Sequence, residues 1–193
     1  MYKLCKTEQS AARQREVEMG LLELMMIQRY EDISVSDLCA RVGIPRNSFY
    51  RYFSSKDGAF HALLDHTMME YEGFSGPYAI GEKRTLERDL ERFFMFWLMK
   101  KPLLDVLAKS NLSGVLMERA ISNSISENTI ARRFLSRDQK PVQEQIITFC
   151  ICGLMSMVMQ WHNGGYAHSA RFMAQTAVRL VTMPLFPDIE SLL

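Results

Sequence analysis

The run from Ser34 to Asp57, SVSDLCARVGIPRNSFYRYFSSKD, leaves the chain little freedom. Ser34 is an N-cap residue with Asp37 three positions on to return a bond to the cap. Leu38 and Val42 lie four apart and share one side of the helix that follows. Gly43 supplies the permissive backbone that ends this helix, and Ile44 is an apolar plug for the turn. Pro45 then pre-sets a second, short helix over Arg46 to Phe53. Within it Phe49 and Phe53 are four apart and pack inward. Arg46, Asn47, Ser48, Tyr50 and Arg51 are left for the surface. The stretch predicts two short helices, a tight turn and the start of a third helix.

A helix–turn–helix places its second helix in the DNA major groove. Arg pairs bidentately with guanine and Asn with adenine, while Ser and Tyr reach phosphates. Leu38 to Lys56 carries four basic residues (Arg41, Arg46, Arg51 and Lys56) and no acid. A solvated helical hairpin with no nucleic-acid role fits the periodicity alone, so the residue types carry the distinction.

V-x-D-L-x-x-x-x-G-I, the aromatic run F-Y-R-Y-F and the S-K-D that opens the next helix resemble the DNA-binding region of the TetR family of transcriptional regulators. The match covers about residues 15 to 70, and beyond them the similarity is one of architecture. Position against the family motif implies that Arg46, Asn47 and Tyr50 face bases, with Arg51 able to face bases or backbone. It implies that Ser36, Ser48, Tyr52 and Lys56 face phosphates. It also implies a ligand pocket among the middle helices, for which Phe94, Trp97, Leu116 and Phe149 are nominated. The last two long helices are expected to pair with their copies in a dimer, with Gly153, Met157, Phe172 and Leu180 at the interface.

Length and charge set the bounds. The 193 residues suffice for one or two domains with a real core. A formal charge of +1 confines any nucleic-acid contact to a local patch. The first 71 residues carry as many acids as bases or slightly more, so that patch lies on one face. Four Cys follow no disulfide-like spacing and read as buried thiols of a reducing cytosol, and no secretory leader is expected. Residues 1 to 10 read as a frayed terminus or a loose arm near DNA.

The remaining chain is helical in pattern. A first helix is expected over about Ser10 to Gln28, with Val17, Leu21, Leu24 and Met25 in its stripe. A fourth begins at Ser54 or Ser55 and runs to about Tyr71. Residues 72–84 hold three Gly and a Pro and mark a domain boundary. Thr85 to Lys101 becomes apolar all round in its second half and is expected to be buried. Further helices are expected over Pro102–Ser110, Ser113–Phe134, Pro141–Asn163 and from the Ser169 cap onward. The apolar run within 141–163 is about 16 residues, short for a membrane span of about 20. Gly153 and Ser156 within it would allow close helix approach. The expected fold is all-α, with about nine helices. It divides into a helix–turn–helix DNA-binding domain (1–71) and a helical regulatory and dimerisation domain (72–193).

No phosphate loop, dinucleotide fingerprint, metalloprotease pair or elbow serine is visible, so neither catalytic residues nor a cofactor is expected. His61 and Asp65 are four apart and could share a metal, but a solvated or hydrogen-bonded pair is the better reading, and no metal site is expected. The reading is a cytoplasmic, dimeric, ligand-responsive repressor of a palindromic operator. Its expected partners are double-stranded DNA, a second copy of the chain and a small apolar ligand, with no membrane. The alternative is a helical regulator whose C-terminal domain binds a protein.

Overall fold

A computed structural model describes residues 2, 3, 5, 7–74, 85–125 and 142–182. Nine α-helices and one 3₁₀ turn lie among them, with no strand beyond an isolated bridge between Tyr2 and Phe53. The helices are α1 (Glu8–Ile27), α2 (Val35–Val42), α3 (Arg46–Tyr52), α4 (Lys56–Phe74), α5 (Leu86–Met99), α6 (Lys101–Lys109), α7 (Ser113–Ile125), α8 (Gln143–Asn163) and α9 (Ala170–Thr182). The 3₁₀ turn, Tyr30–Asp32, links α1 to α2. The fold is all-α, as the sequence pattern implies.

Most helix starts are set by their caps. Thr7, Ser34 and Thr85 accept from the backbone N–H of Ser10, Asp37 and Arg88, three residues on. Ser55 and Ser169 accept in the same way from Gly58 and Phe172. Pro102 sits in the first turn of α6, where its missing N–H leaves no partner wanting.

The chain forms two compact units. One comprises Met1–Glu70 with Pro102–Arg119, the other Tyr71–Lys101 with Ala120–Leu193. The first break falls within a residue of the expected boundary, but the division is not a single cut. Residues 102–119, sequence-assigned to the second domain, join the first unit. The physical cause is visible in its bonds. The Tyr30 N–H donates to the buried Ser110 hydroxyl at 3.2 Å, and Arg119 reaches Asp65 at 3.3 Å. Residues 72–74 are helical, so α4 runs on into the segment read as a linker. The rest of that linker, and residues 126–134 of the long helix expected over Ser113–Phe134, fall outside the described residues.

In the first unit Val17, Leu21, Met25, Leu38, Phe49, Phe53 and Leu64 are almost fully buried. Each such side chain contributes about 1.5–3 kcal/mol through burial. Two polar members of the α1 stripe are buried with them. Gln14 and Glu18 continue the spacing of Leu21 and Met25, and Glu18 is fully covered. Its carboxylate meets His66 Nδ1 at 2.8 Å and Arg15 at 3.0 Å. Gly20 lets α2 pass close to α1, because a Cβ there would lie 2.5 Å from Val42 Cγ2.

In the second unit Phe93, Phe94, Phe96 and Trp97 of α5 form a buried cluster of rings. Phe94 meets Trp161 edge-on at 5.8 Å, and Gln175 of α9 donates to Glu87 at 3.0 Å. The expectation that the second half of α5 is buried throughout is corrected here. Met95, Leu98 and Met99 are 46%, 41% and 65% exposed, because one face of the helix takes all the packing. Helix α8 goes further. Only Ile147, Met155, Val158 and Trp161 of its 21 residues are buried. The thiols of Cys150 and Cys152 on α8 are half-buried rather than fully so, as is that of Cys5; Cys39 alone of the four is buried.

Candidate nucleic-acid interface

The turn and the second helix are built as the sequence implies. The Ser34 hydroxyl accepts from the Asp37 N–H at 3.1 Å, and the Asp37 carboxylate accepts from the Ser34 N–H at 2.9 Å. The Ser34 hydroxyl and N–H hold the Asp37 carboxyl below the usual carboxylate range. Gly43 closes α2 in the left-handed region at φ +70°, where a side chain would be strained. Its N–H and that of Ile44 both turn back to the Cys39 carbonyl. Ile44 is half-buried.

Seven residues make α3, and its two sides differ sharply. Phe49 and the following Phe53 are buried at 0% and 1% exposure, with ring centroids 5.3 Å apart. Arg46, Asn47, Tyr50 and Arg51 are all exposed. Positions 46 and 50, like 47 and 51, are four apart, so the four side chains share one face. The Arg46 guanidinium donates to the Tyr50 hydroxyl, which raises its already high pKa. The face therefore carries a fork of donors, an amide and a phenol over a fixed apolar base.

The residues proposed for phosphates are placed less uniformly. Ser36 is exposed on the first turn of α2, while Ser48 and Tyr52 are half-buried. The Lys56 ammonium is turned toward the protein. It donates to the Tyr30 carbonyl at 2.6 Å and lies 4.2 Å from the centre of the Tyr30 ring. The Tyr30 hydroxyl in turn donates to Asp57 at 2.5 Å, and burial followed by that bond raises its pKa strongly. Arg41, part of the basic run, is bound at 2.6 Å to Glu23 of α1. The basic patch is thus narrower than the sequence suggests, since Arg41 is held by Glu23 and Lys56 by the Tyr30 carbonyl.

The N-terminal residues are neither frayed nor loose at Tyr2, Lys3 and Cys5. The Lys3 N–H donates to the Tyr52 carbonyl at 2.9 Å. Gln14 Nε2 donates to the Lys3 carbonyl at 3.1 Å, and the Cys5 thiol donates to Gln14 Oε1 at 3.2 Å. The Tyr2 hydroxyl donates to Asp65 at 3.0 Å, and its ring meets that of His66 edge-on at 5.9 Å. Burial, then Asp65, pushes the Tyr2 hydroxyl up to about 12. Asp65 is therefore claimed by Tyr2 and Arg119 instead of sharing a metal with His61. Among the described residues no three His, Cys, Asp or Glu side chains are grouped to hold a metal.

Residues 22–63 match the model described as bacterial regulatory proteins, tetR family. The chain carries that family's DNA-binding segment, which spans α2 and α3. It is a DNA-binding transcriptional regulator with a helix–turn–helix. No curated protein matches it in sequence. Solved structures of other regulators share its fold. The fatty acid degradation regulator FadR of Bacillus halodurans is 11% identical with a TM-score of 0.64, over 94% of this chain and 98% of that one. The repressor AlkX of Dietzia is 17% identical with a TM-score of 0.50, over 86% and 95%. The dihydroxyacetone kinase operon activator DhaS is 14% identical with a TM-score of 0.55, over 88% and 93%.

The nominated pocket residues divide between the two units. Phe94 and Trp97 are buried neighbours on α5, and Leu116 is buried in the other unit. Phe149 is 74% exposed, which removes it from a closed chamber: α8 turns that side chain away from Ile147 and Met155. A groove of about 360 Å³ runs past Glu87, Phe172 and Arg179, and one of about 380 Å³ past Arg15, His66 and Met69; neither includes the nominated four. Of the interface residues, Gly153, Phe172 and Leu180 are exposed and Met157 is half-buried. A Cβ at Gly153 would meet open space.

Proposed function

We propose that this regulator binds a palindromic operator as a homodimer and represses from it. Residues 1–71 would supply the DNA-binding domain and 72–193 the regulatory and dimerisation domain. The observation that carries the reading is the exposed face of α3. Arg46, Asn47, Tyr50 and Arg51 read bases, while Ser36, Ser48, Tyr52 and Lys56 hold the backbone. Lys56 would leave the Tyr30 carbonyl to do so. One seven-residue helix reads too few base pairs for useful specificity, so two copies are needed about 34 Å apart. The second copy would sit on α8 and α9, whose exposed Phe149, Gly153, Phe172 and Leu180 form an apolar face. Repression requires only that the dimer occupy DNA needed by other proteins.

Helix α8 is also long and apolar enough to cross a membrane by length and composition, with a mean hydropathy of 1.2. Its 21 residues exceed the run of about 16 counted in the sequence. A dimer face explains the same pattern, and the proposed location is the cytoplasm, where the operator is.

The regulatory signal proposed is a small apolar molecule beside Phe94 and Trp97. Among the described residues the buried Trp97 indole N–H meets no acceptor, so a ligand offering one would gain a bond. The exposed Met95, Leu98 and Met99 of the same helix favour a second reading, a protein partner on that face. The DNA assignment is tested with duplexes selected from a random pool by the native protein. Arg46→Ala is expected to weaken the matched site about tenfold and to relax preference at one base pair. Equal losses on matched and altered sites would remove Arg46 from the bases.

A further inference from the structure

The recognition helix is short, and short helices depend on their ends. A seven-residue helix is marginal by itself, and its last carbonyls have no partner within the helix. Here one of them is satisfied from far along the chain: the Tyr52 carbonyl accepts from the Lys3 N–H at 2.9 Å. The segment that supplies this bond is itself fastened on two sides. Gln14, 2% exposed on α1, donates to the Lys3 carbonyl and accepts from the Cys5 thiol. Tyr2, paired with Phe53 across a short antiparallel bridge, donates to Asp65 on α4 at 3.0 Å. Asp65 is braced in turn by Arg119 at 3.3 Å.

We infer that Tyr2, Lys3 and Cys5 form a strap that fixes the pose of α3, with Tyr2 and Gln14 as positioning residues for operator reading. The inference rests on the assignment of α3 to bases. Its logic is geometric. Phe49 and Phe53 anchor the buried side of α3, which leaves rotation about that apolar contact to be restrained. The strap restrains it, because it joins the last turn of α3 to both α1 and α4. A helix held to within a fraction of an ångström keeps bidentate contacts aligned, and one free to rock loses them first. The strap acts through backbone bonds and a phenol, so its effect on DNA is not one of charge.

The test uses the full chain and a duplex selected from a random pool, with a second duplex altered at one contacted base pair. Tyr2→Ala is expected to weaken the matched duplex about tenfold and the altered one by less, so that discrimination falls. Tyr2→Phe, which keeps the ring, is expected to fall between Tyr2→Ala and the native chain. The slope of affinity against salt is expected to stay unchanged, since no phosphate contact is removed. A variant that merely folded less well would lose affinity equally on both duplexes. Unchanged affinity and discrimination for Tyr2→Ala would overturn the inference. So would a shallower salt slope with discrimination kept, because the segment would then be touching phosphate directly. Arg46→Ala runs beside these as a control. If it alters discrimination while Tyr2→Ala does not, only the strap fails; if neither acts, the assignment of α3 fails with it.

Discussion

Helices α3 and α8 are both less covered than their neighbours, and they expose opposite chemistry. On α3 the exposed side is Arg46, Asn47, Tyr50 and Arg51 above two buried phenylalanines. On α8 the middle of the exposed side is Phe149, Gly153 and Ser156 beside a thin buried line of Ile147, Met155 and Val158, with Glu144, Gln145 and Gln160 exposed nearer its ends. Hydrogen-bonding side chains stand in water at little cost, and so α3 is ready for a polar, charged partner without being sticky. An apolar face gains about 25 cal/mol for each Å² removed from water, so coverage of the apolar middle of α8 is favourable. On the proposed reading one surface takes a selective partner and the other is covered by a second copy. The proposed division of labour rests on that difference, with DNA on α3 and a second copy on α8 and α9.

The largest break in that comparison comes from Met157→Asp on α8. A carboxylate at the centre of an apolar interface costs several kcal/mol unless it is paired. Sedimentation is expected to show a monomer, and operator binding is expected to disappear with the dimer while thermal stability of the first unit persists. An unchanged dimer would move the interface away from α8.

Gly20→Ala makes the converse break. The added Cβ, 2.5 Å from the stiff Val42 side chain, forces α2 off α1 and is expected to destabilise by about 1–3 kcal/mol. Thermal unfolding would show it, with dimerisation through α8 intact. A neutral result would mean that Val42 turns aside without strain.

These two positions also show what the sequence makes legible. The capping box at Ser34, the left-handed Gly43 and the inward pair Phe49 and Phe53 are local features, each written within four residues of its partner. They were readable, and so were the chemistry and face of α3. Gln14 and Glu18 keep the spacing of the α1 stripe, but their polarity hides their burial. Gly20 gave no sign, because its meaning lies in Val42 across the helix crossing. The same holds for Lys3 on Tyr52, for Ser110 under Tyr30 and for Arg119 on Asp65, which pair residues tens of positions apart. Composition was misleading for the second half of α5 and for Phe149. An apolar count says that a helix has an apolar partner, but not which of its faces the partner covers.

Lys56→Gln sharpens the account of the α3 side with a smaller effect. It removes an ammonium that donates to the Tyr30 carbonyl and is proposed to reach phosphate. Loss of one phosphate contact is expected to lower the salt slope by about 0.9 and to weaken all duplexes alike. Lower thermal stability with an unchanged slope would make Lys56 a brace between α4 and Tyr30 only.

The smallest expected effect is one of pH, and it belongs to the first unit alone. Burial, then Arg119, holds the His61 imidazole below its usual 6.5. The folded chain therefore prefers the neutral ring. As pH falls through 6.5 the unfolded chain takes up the proton first, so stability declines from there downward and is unaffected above about 7.5. His61→Gln is expected to flatten that acid limb in thermal melts. Equal acid sensitivity in the variant would assign the decline to other groups.

The most direct test of the division between α3 and α8 is the stoichiometry of the DNA complex. A labelled duplex selected by the native protein is saturated with it and followed by sedimentation velocity. Two chains per duplex, with no intermediate of one chain, is the result predicted for a preformed dimer reading both half-sites. One chain per duplex at saturation would contradict it, and would leave the apolar face of α8 to some other partner.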